Sequence, residues 1–185
     1  QENRRLTSDS KIDERTMREI YMPAFETAIK ESQPWTVMCS YNRINGVYAA
    51  ENKYLLTDVL RDEWGFEGIV VSDWGAVNDR VAGVKAGLDL EMPSSCGVND
   101  ALIVDAVRNG NLDETILDQM VCRILEMVYR FVENRDNRAI FDRDAQHALS
   151  KKVAEESLVL LKNEGVLPLN REQKIAFIGQ YAENP

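Results

Sequence analysis

The chain has 185 residues, 44% hydrophobic and 29% charged, a composition that excludes a disordered tail, a collagen-like repeat and a disulfide-stapled mini-protein. Asp and Glu number 31 against 22 Lys and Arg, a net charge of −9 with no basic run, so nucleic acid is excluded as a partner. No stretch approaches the ~20 apolar residues of a membrane-spanning helix, and the length suits one domain, or one domain with the start of another.

Asp13 to Ser32 carries Met17, Ile20, Tyr21, Ala24, Phe25, Ala28 and Ile29 at helical spacing, with a bend expected at Pro23 and a stop at Pro34. Trp35 to Tyr41 is a short apolar run and reads as a buried strand, followed by a loop at Asn45-Gly46. Glu51 to Trp64 is helical again, with Leu55, Leu56, Val59 and Leu60 on one face. Gly68 to Asp73 is β-branched and closed by polar residues, a second buried strand. A helix over Asn78–Ala86 then precedes a third strand over Gly87–Met92, which Pro93 ends. Two helices follow, from about Asp100 to Asn109 and from Glu114 to Asn134, the second with a wide apolar stripe through Met120, Ile124 and Val128.

Strand and helix alternate, which predicts an α/β fold of βαβ units with a parallel sheet covered on both faces. Three strands cannot close a (β/α)8 barrel, so the alternatives are a small open sheet or the last part of a barrel. Past Arg135 the character changes. Residues 135–170 read as a connection containing a helix from about Asp144 to Leu161, and Lys174–Gly179 reads as the first strand of a new sheet. Gln1 is not an initiator methionine, and the segment behind it is neither a signal peptide nor a capped element, so a longer parent chain is expected.

Cys39, Cys96 and Cys122 lie at wide, unpatterned spacings and His147 is the one histidine, so neither a disulfide framework nor a zinc site is expected. Free thiols suit a reducing compartment and give cytoplasmic localisation as the expectation. No motif asks for a metal or an organic cofactor.

In parallel α/β folds the working residues gather at the carboxyl ends of strands. Three polar sets occupy such positions: Ser40-Tyr41-Asn42, Ser72-Asp73-Trp74 and Glu91-Met92-Pro93. Asp73 reads in two ways: as a carboxylate poised beside an indole face to attack a sugar carbon, or as the N-cap of the next helix. Glu91 is the obvious second carboxylate for glycoside hydrolysis, and equally a structural hydrogen-bond acceptor. Tyr41 positions a nucleophile or forms part of a rim. Trp35 and Trp64 are assigned to packing, and His147 to an exposed helix start.

Four segments, in order, carry a resemblance: Val37–Gly46 (VMCSYNRING), Leu55–Arg61 (LLTDVLR), Trp64–Trp74 (WGFEGIVVSDW) and Ala86–Pro93 (AGLDLEMP). With Leu161–Leu169 (LKNEGVLPL), they resemble glycoside hydrolase family 3 β-glucosidases over essentially the whole chain. The resemblance implies that residues 1–134 are the C-terminal part of a TIM-like barrel and 135–170 a connecting helix and linker. Residues 171–185 would then be the first strand of a truncated α/β sandwich domain.

It further implies a retaining hydrolase of terminal β-D-glucosyl residues, with Asp73 as nucleophile. Trp74, Met38 and Tyr41 would border the sugar, and Arg5 would contact its hydroxyls, with Arg4 as the register alternative. Glu91 looks structural in the family's pattern. The acid/base would come from outside the chain, since His147 is misplaced for it. The partner implied is a β-glucoside or oligosaccharide, with β-xylosidase specificity or a non-catalytic sugar- or partner-binding role as alternatives. Open strand edges predict self-association.

Overall fold

In the computed structural model, which describes residues 2–183, a short 3-10 turn (Glu2–Arg4) leads into strand β1 (Asp9–Ser10). Asp13 then caps helix α1 (Glu14–Thr16), its carboxylate accepting from the Thr16 backbone N–H at 3.0 Å. The helix widens into a π turn (Met17–Tyr21) before resuming as α2 (Pro23–Ser32). Pro23 explains the change of register: with no N–H to donate, it fits the first position of a new helix and not the interior of an old one. The expected bend is therefore a π turn that closes when the Met22 N–H bonds to the Met17 carbonyl at 2.9 Å. Gln33, at φ 43°, ends α2.

β2 (Thr36–Met38) lies parallel to β5 (Ile69–Val71), with Thr36 opposite Ile69, Val37 opposite Val70 and Met38 opposite Val71. Both strands were expected from their apolar runs. β5 is buried at Ile69 and Val70, whereas β2, which pairs with β5 alone among the described strands, is exposed at Thr36 and Met38.

Between them, β3 (Arg43–Ile44) and β4 (Val47–Tyr48) form an antiparallel hairpin, and β3 also pairs in parallel with β1. Asn45 and Gly46 both take positive φ, 53° and 95°, as the two-residue loop of a right-twisted hairpin requires. The sequence reading had only a loop here. A 3-10 turn (Ala49–Glu51) and a π-helical stretch (Tyr54–Glu63) cover the region read as one helix over Glu51–Trp64.

α3 (Arg80–Ala86), capped by Asp79, is followed by Gly87–Met92, the expected third strand. Only one residue of it pairs: Leu90 forms a single parallel bridge with Val71. The cause is Asp89. Its carboxylate takes the Val70 N–H at 2.7 Å, and the Asp89 and Leu90 amides both converge on the Val70 carbonyl at 3.0 Å, so no regular ladder can run on.

α4 (Val98–Arg108) and α5 (Glu114–Asn134) complete the unit that ends at Arg135. Its main core gathers Ile29, Leu56, Val59, Trp64, Val70 and Leu88, and a second cluster, Val84, Ile103, Leu112 and Met120, joins α3, α4 and α5. Trp64 packs as expected, but Trp35 is 42% exposed.

The second unit begins at Asp136 and holds α6 (Arg143–Ser157), with an exposed His147, and α7 (Gln180–Glu183). Asn163 folds the turn after α6 by accepting from the backbone N–H groups of Gly165, Val166 and Leu167. Residues 174–179, read as the first strand of a new sheet, carry no strand pairing, since no other strand of this unit stands beside them among the described residues. No helix among the described residues is long and apolar enough to cross a membrane.

Candidate active site

The register of β2 against β5 decides where the polar sets meet. Because Met38 stands opposite Val71, the chain leaves both strands at the same end, and the Cys39 N–H extends the ladder by one bond to the Val71 carbonyl at 3.0 Å. Leu90 bridges Val71 at that end too. All three predicted sets, Ser40-Tyr41-Asn42, Ser72-Asp73-Trp74 and Glu91-Met92-Pro93, thus emerge at one edge.

Asp73 sits half-buried as the first residue of a tight turn whose centre is Trp74-Gly75. Its Oδ1 accepts from the Trp74 N–H at 2.6 Å, and its carbonyl accepts from the Ala76 N–H at 3.0 Å. The alternative helix-cap role falls to Asp79, whose side chain accepts from the Ala82 N–H at 2.9 Å. Trp74 is 67% exposed, so its indole is free to meet a ligand. The Tyr41 hydroxyl donates to the Trp74 carbonyl at 2.9 Å. Burial, and then the adjacent Asp73 carboxylate, push the Tyr41 phenol above its ordinary pKa.

Arg5 lies with its guanidinium 4.8 Å from the centre of the Tyr41 ring and is ion-paired to Glu2. The N-terminal segment that carries it is tied down where Arg43 Nη2 donates to the Thr7 carbonyl at 3.1 Å and the Arg43 N–H to the Ser8 carbonyl at 2.9 Å. Four of the predicted residues, Arg5, Tyr41, Asp73 and Trp74, are therefore linked by direct contacts. The fifth, Met38, ends β2 with 64% of its surface exposed and lines an apolar cavity of ≈ 290 Å³ together with Met17, Phe25 and Leu56. Asp73 is not among the residues lining that cavity.

Glu91 points elsewhere. One oxygen accepts from Asn99 Nδ2 at 2.6 Å and the other lies 3.8 Å from Arg80 Nε. Arg80 is itself buried and donates to the Leu88 and Asp89 carbonyls at 3.0 Å each, so Glu91 belongs to a set of contacts that fixes the returning chain.

Two features of the site were missed by sequence reasoning. Asp89 is fully buried and accepts from Arg61 Nη2 at 2.5 Å, Arg123 Nε at 2.8 Å and the Val70 N–H. Burial pushes the Arg61 guanidinium below its ordinary pKa, partly offset by the Asp89 charge. Beside Asp73, Cys39 is buried, and loss of solvent raises its thiol pKa. No cluster of His, Cys, Asp and Glu among the described residues gathers as metal ligands.

Residues 2–127 match the model of the glycosyl hydrolase family 3 N-terminal domain. The chain belongs to this family. Over its whole length it is 55% identical to the thermostable β-glucosidase B of Acetivibrio thermocellus, of which it covers 25%. It is 51% identical to the exo-α-(1→6)-L-arabinopyranosidase of Bifidobacterium breve, covering 26% of that protein. The crystal structure of the family 3 β-glucosidase of Bifidobacterium adolescentis superposes on 91% of the chain with a TM-score of 0.76 and 50% identity, over 25% of its own length. The chain thus spans about a quarter of the length of the family 3 relatives it matches.

Proposed function

We propose that this chain carries the nucleophile side of a retaining β-glucosidase site, with Asp73 as the nucleophile. The observation that supports this most is the β2–β5 register, which sets an exposed indole, a phenol and a cation around one half-buried carboxylate at a strand end. Asp73 attacks the anomeric carbon while the bond to the leaving oxygen breaks through an oxocarbenium-like state. A glycosyl ester forms on Asp73, and water then hydrolyses it with overall retention.

Trp74 stacks on the sugar's C–H face, and Arg5 and Tyr41 orient its hydroxyls. Glu91 is engaged by Asn99 and Arg80, and the likeness to family 3 glycosidases supports a proton-donating carboxyl from outside these 185 residues. In this reading β2, β5 and the Leu90 segment are staves of a (β/α)8 barrel, and the residues after Arg135 lead towards an α/β sandwich domain.

The 51% identity to an exo-α-(1→6)-L-arabinopyranosidase favours a second specificity on the same carboxylate. The nucleophilic chemistry is unchanged, and the contacts that differ are those to the 4-hydroxyl and to the hydroxymethyl group that the arabinoside lacks. The test is hydrolysis of p-nitrophenyl β-D-glucopyranoside and α-L-arabinopyranoside by the full-length protein and by Asp73→Ala. The variant is expected to lose at least roughly a thousandfold on either substrate, and added azide to restore turnover as the glycosyl azide of inverted anomeric configuration, α from the glucoside and β from the arabinoside. Full activity in Asp73→Ala would overturn the assignment, and the ratio of the two substrates decides between the specificities.

A further inference from the structure

The turn that carries Asp73 is closed by a buried side chain. Ser72 is 2% exposed. Its backbone N–H makes the last ladder-like bond, to the Leu90 carbonyl at 2.9 Å, and beyond it the two chain segments would part. There the Ser72 hydroxyl takes over. Oγ accepts from the Met92 N–H at 2.8 Å and donates to the Met92 carbonyl at 3.1 Å, so one side chain reproduces both halves of a strand pair. The same Met92 carbonyl accepts from the Gly75 N–H at 2.8 Å.

Met92 is thus gripped from the residue before Asp73 and from the residue two after it. Only Asp73 and Trp74 lie between the two anchors. Three further polar groups of the turn are also taken: the Trp74 N–H by Asp73, the Asp73 carbonyl by Ala76 and the Trp74 carbonyl by Tyr41.

We infer that Ser72 is a positioning residue for the Asp73 carboxylate, its hydroxyl pinning the reactive turn to the Met92 backbone. The inference rests on Asp73 being the nucleophile. Losing the hydroxyl leaves the Met92 N–H with no acceptor and removes one anchor, so the turn gains freedom at the point where attack needs a fixed carboxylate. A displacement of about 1 Å in a catalytic group costs on the order of a hundredfold in rate.

The experiment is steady-state kinetics on p-nitrophenyl β-D-glucopyranoside with full-length Ser72→Ala, Ser72→Thr and Asp73→Ala, each checked for a cooperative unfolding transition. Ser72→Ala is expected to lower kcat by roughly ten- to a hundredfold with KM within about threefold, because sugar binding does not use Ser72. Ser72→Thr, which keeps the hydroxyl, is expected to stay within about fivefold of the parent kcat. If Ser72→Ala does not fold, Ser72→Cys, close in volume but only a weak donor and acceptor, takes its place with the same expected loss. A folded Ser72→Ala with parental kcat and a lowered melting temperature would make Ser72 structural only and overturn the inference. So would a loss in Ser72→Thr equal to that in Ser72→Ala. Either result beside an inactive Asp73→Ala sinks this inference alone, whereas an active Asp73→Ala sinks the nucleophile reading beneath it.

Discussion

Replacing Asp89 by Ala removes the one anion in a buried set that holds β5, the π-helical stretch Tyr54–Glu63 and α5 together. Its carboxylate has no exposed surface, and the guanidinium side chains of Arg61 and Arg123 facing it are 12% and 21% exposed. Three bonds disappear, to Arg61, to Arg123 and to the Val70 N–H. Breaking a buried ion pair from one side costs about 3–5 kcal/mol, and an orphaned buried N–H about 1–3 kcal/mol more. The terms overlap, so the expected loss is about 4–6 kcal/mol, against a typical total stability of about 5–15 kcal/mol.

With a urea slope of about 2 kcal/mol/M, the midpoint falls by about 2–3 M. Asp89→Asn retains an acceptor for the Val70 N–H while losing the charge, and is expected to cost about half as much. Glu26→Ala, which breaks the exposed pair with Lys30, is the control and stays within about 0.5 kcal/mol. Urea unfolding followed by circular dichroism measures all three. A loss below about 1.5 kcal/mol in Asp89→Ala would refute the view that this ion cluster holds the strand end in place.

Gly68→Ala should destabilise by about 1–3 kcal/mol in the same assay, since an added Cβ runs into the Trp35 carbonyl oxygen and the Phe66 ring at the start of β5. Thiol titration of the native protein should show Cys96 and Cys122, both exposed, reacting quickly and Cys39 at least roughly a hundredfold more slowly, because burial both shields its thiol and raises its pKa; equal rates would refute the buried placement. Asp113 caps α5 by accepting from the Thr115 N–H and hydroxyl at 2.9 and 2.8 Å, which holds its pKa below the ordinary 3.8. That contribution is fully present above the unfolded pKa and is lost as pH falls through the lower folded value. Asp113→Ala should therefore lower the melting temperature by a few degrees at pH 7 and by much less near pH 2.

What the sequence revealed follows from which signals are local. The apolar runs behind β2 and β5, and the stripe of α5 from Glu114 to Asn134, are patterns within one segment, and the structure has those elements. The β3–β4 hairpin escaped because two-residue strands are too short to show alternation, although Asn45-Gly46 is the dipeptide such a loop favours. The π turns escaped because Met17–Tyr21 and Tyr54–Glu63 keep an apolar face that spacing alone reads as ordinary helix. The third strand was over-read because Leu88, Leu90 and Met92 alternate correctly, while the Asp89 side chain consumes the N–H that a ladder needs. Asp73 and Trp74 stood out by closing an apolar run. The Ser72–Met92 contacts and the Arg61–Asp89–Arg123 set did not, since each joins residues 20 or more positions apart in the chain.

The most direct test of Asp73 is to trap the glycosyl-enzyme. The full-length protein is incubated with 2,4-dinitrophenyl 2-deoxy-2-fluoro-β-D-glucopyranoside, whose fluorine slows both formation and hydrolysis of the ester while the dinitrophenolate leaving group keeps formation the faster step. Peptide mass mapping then locates the added sugar. The account predicts one 2-fluoroglucosyl group per chain, on the peptide containing Asp73, and none in Asp73→Ala. A sugar ester on Glu91 or any other carboxylate, with Asp73 unmodified, would contradict it.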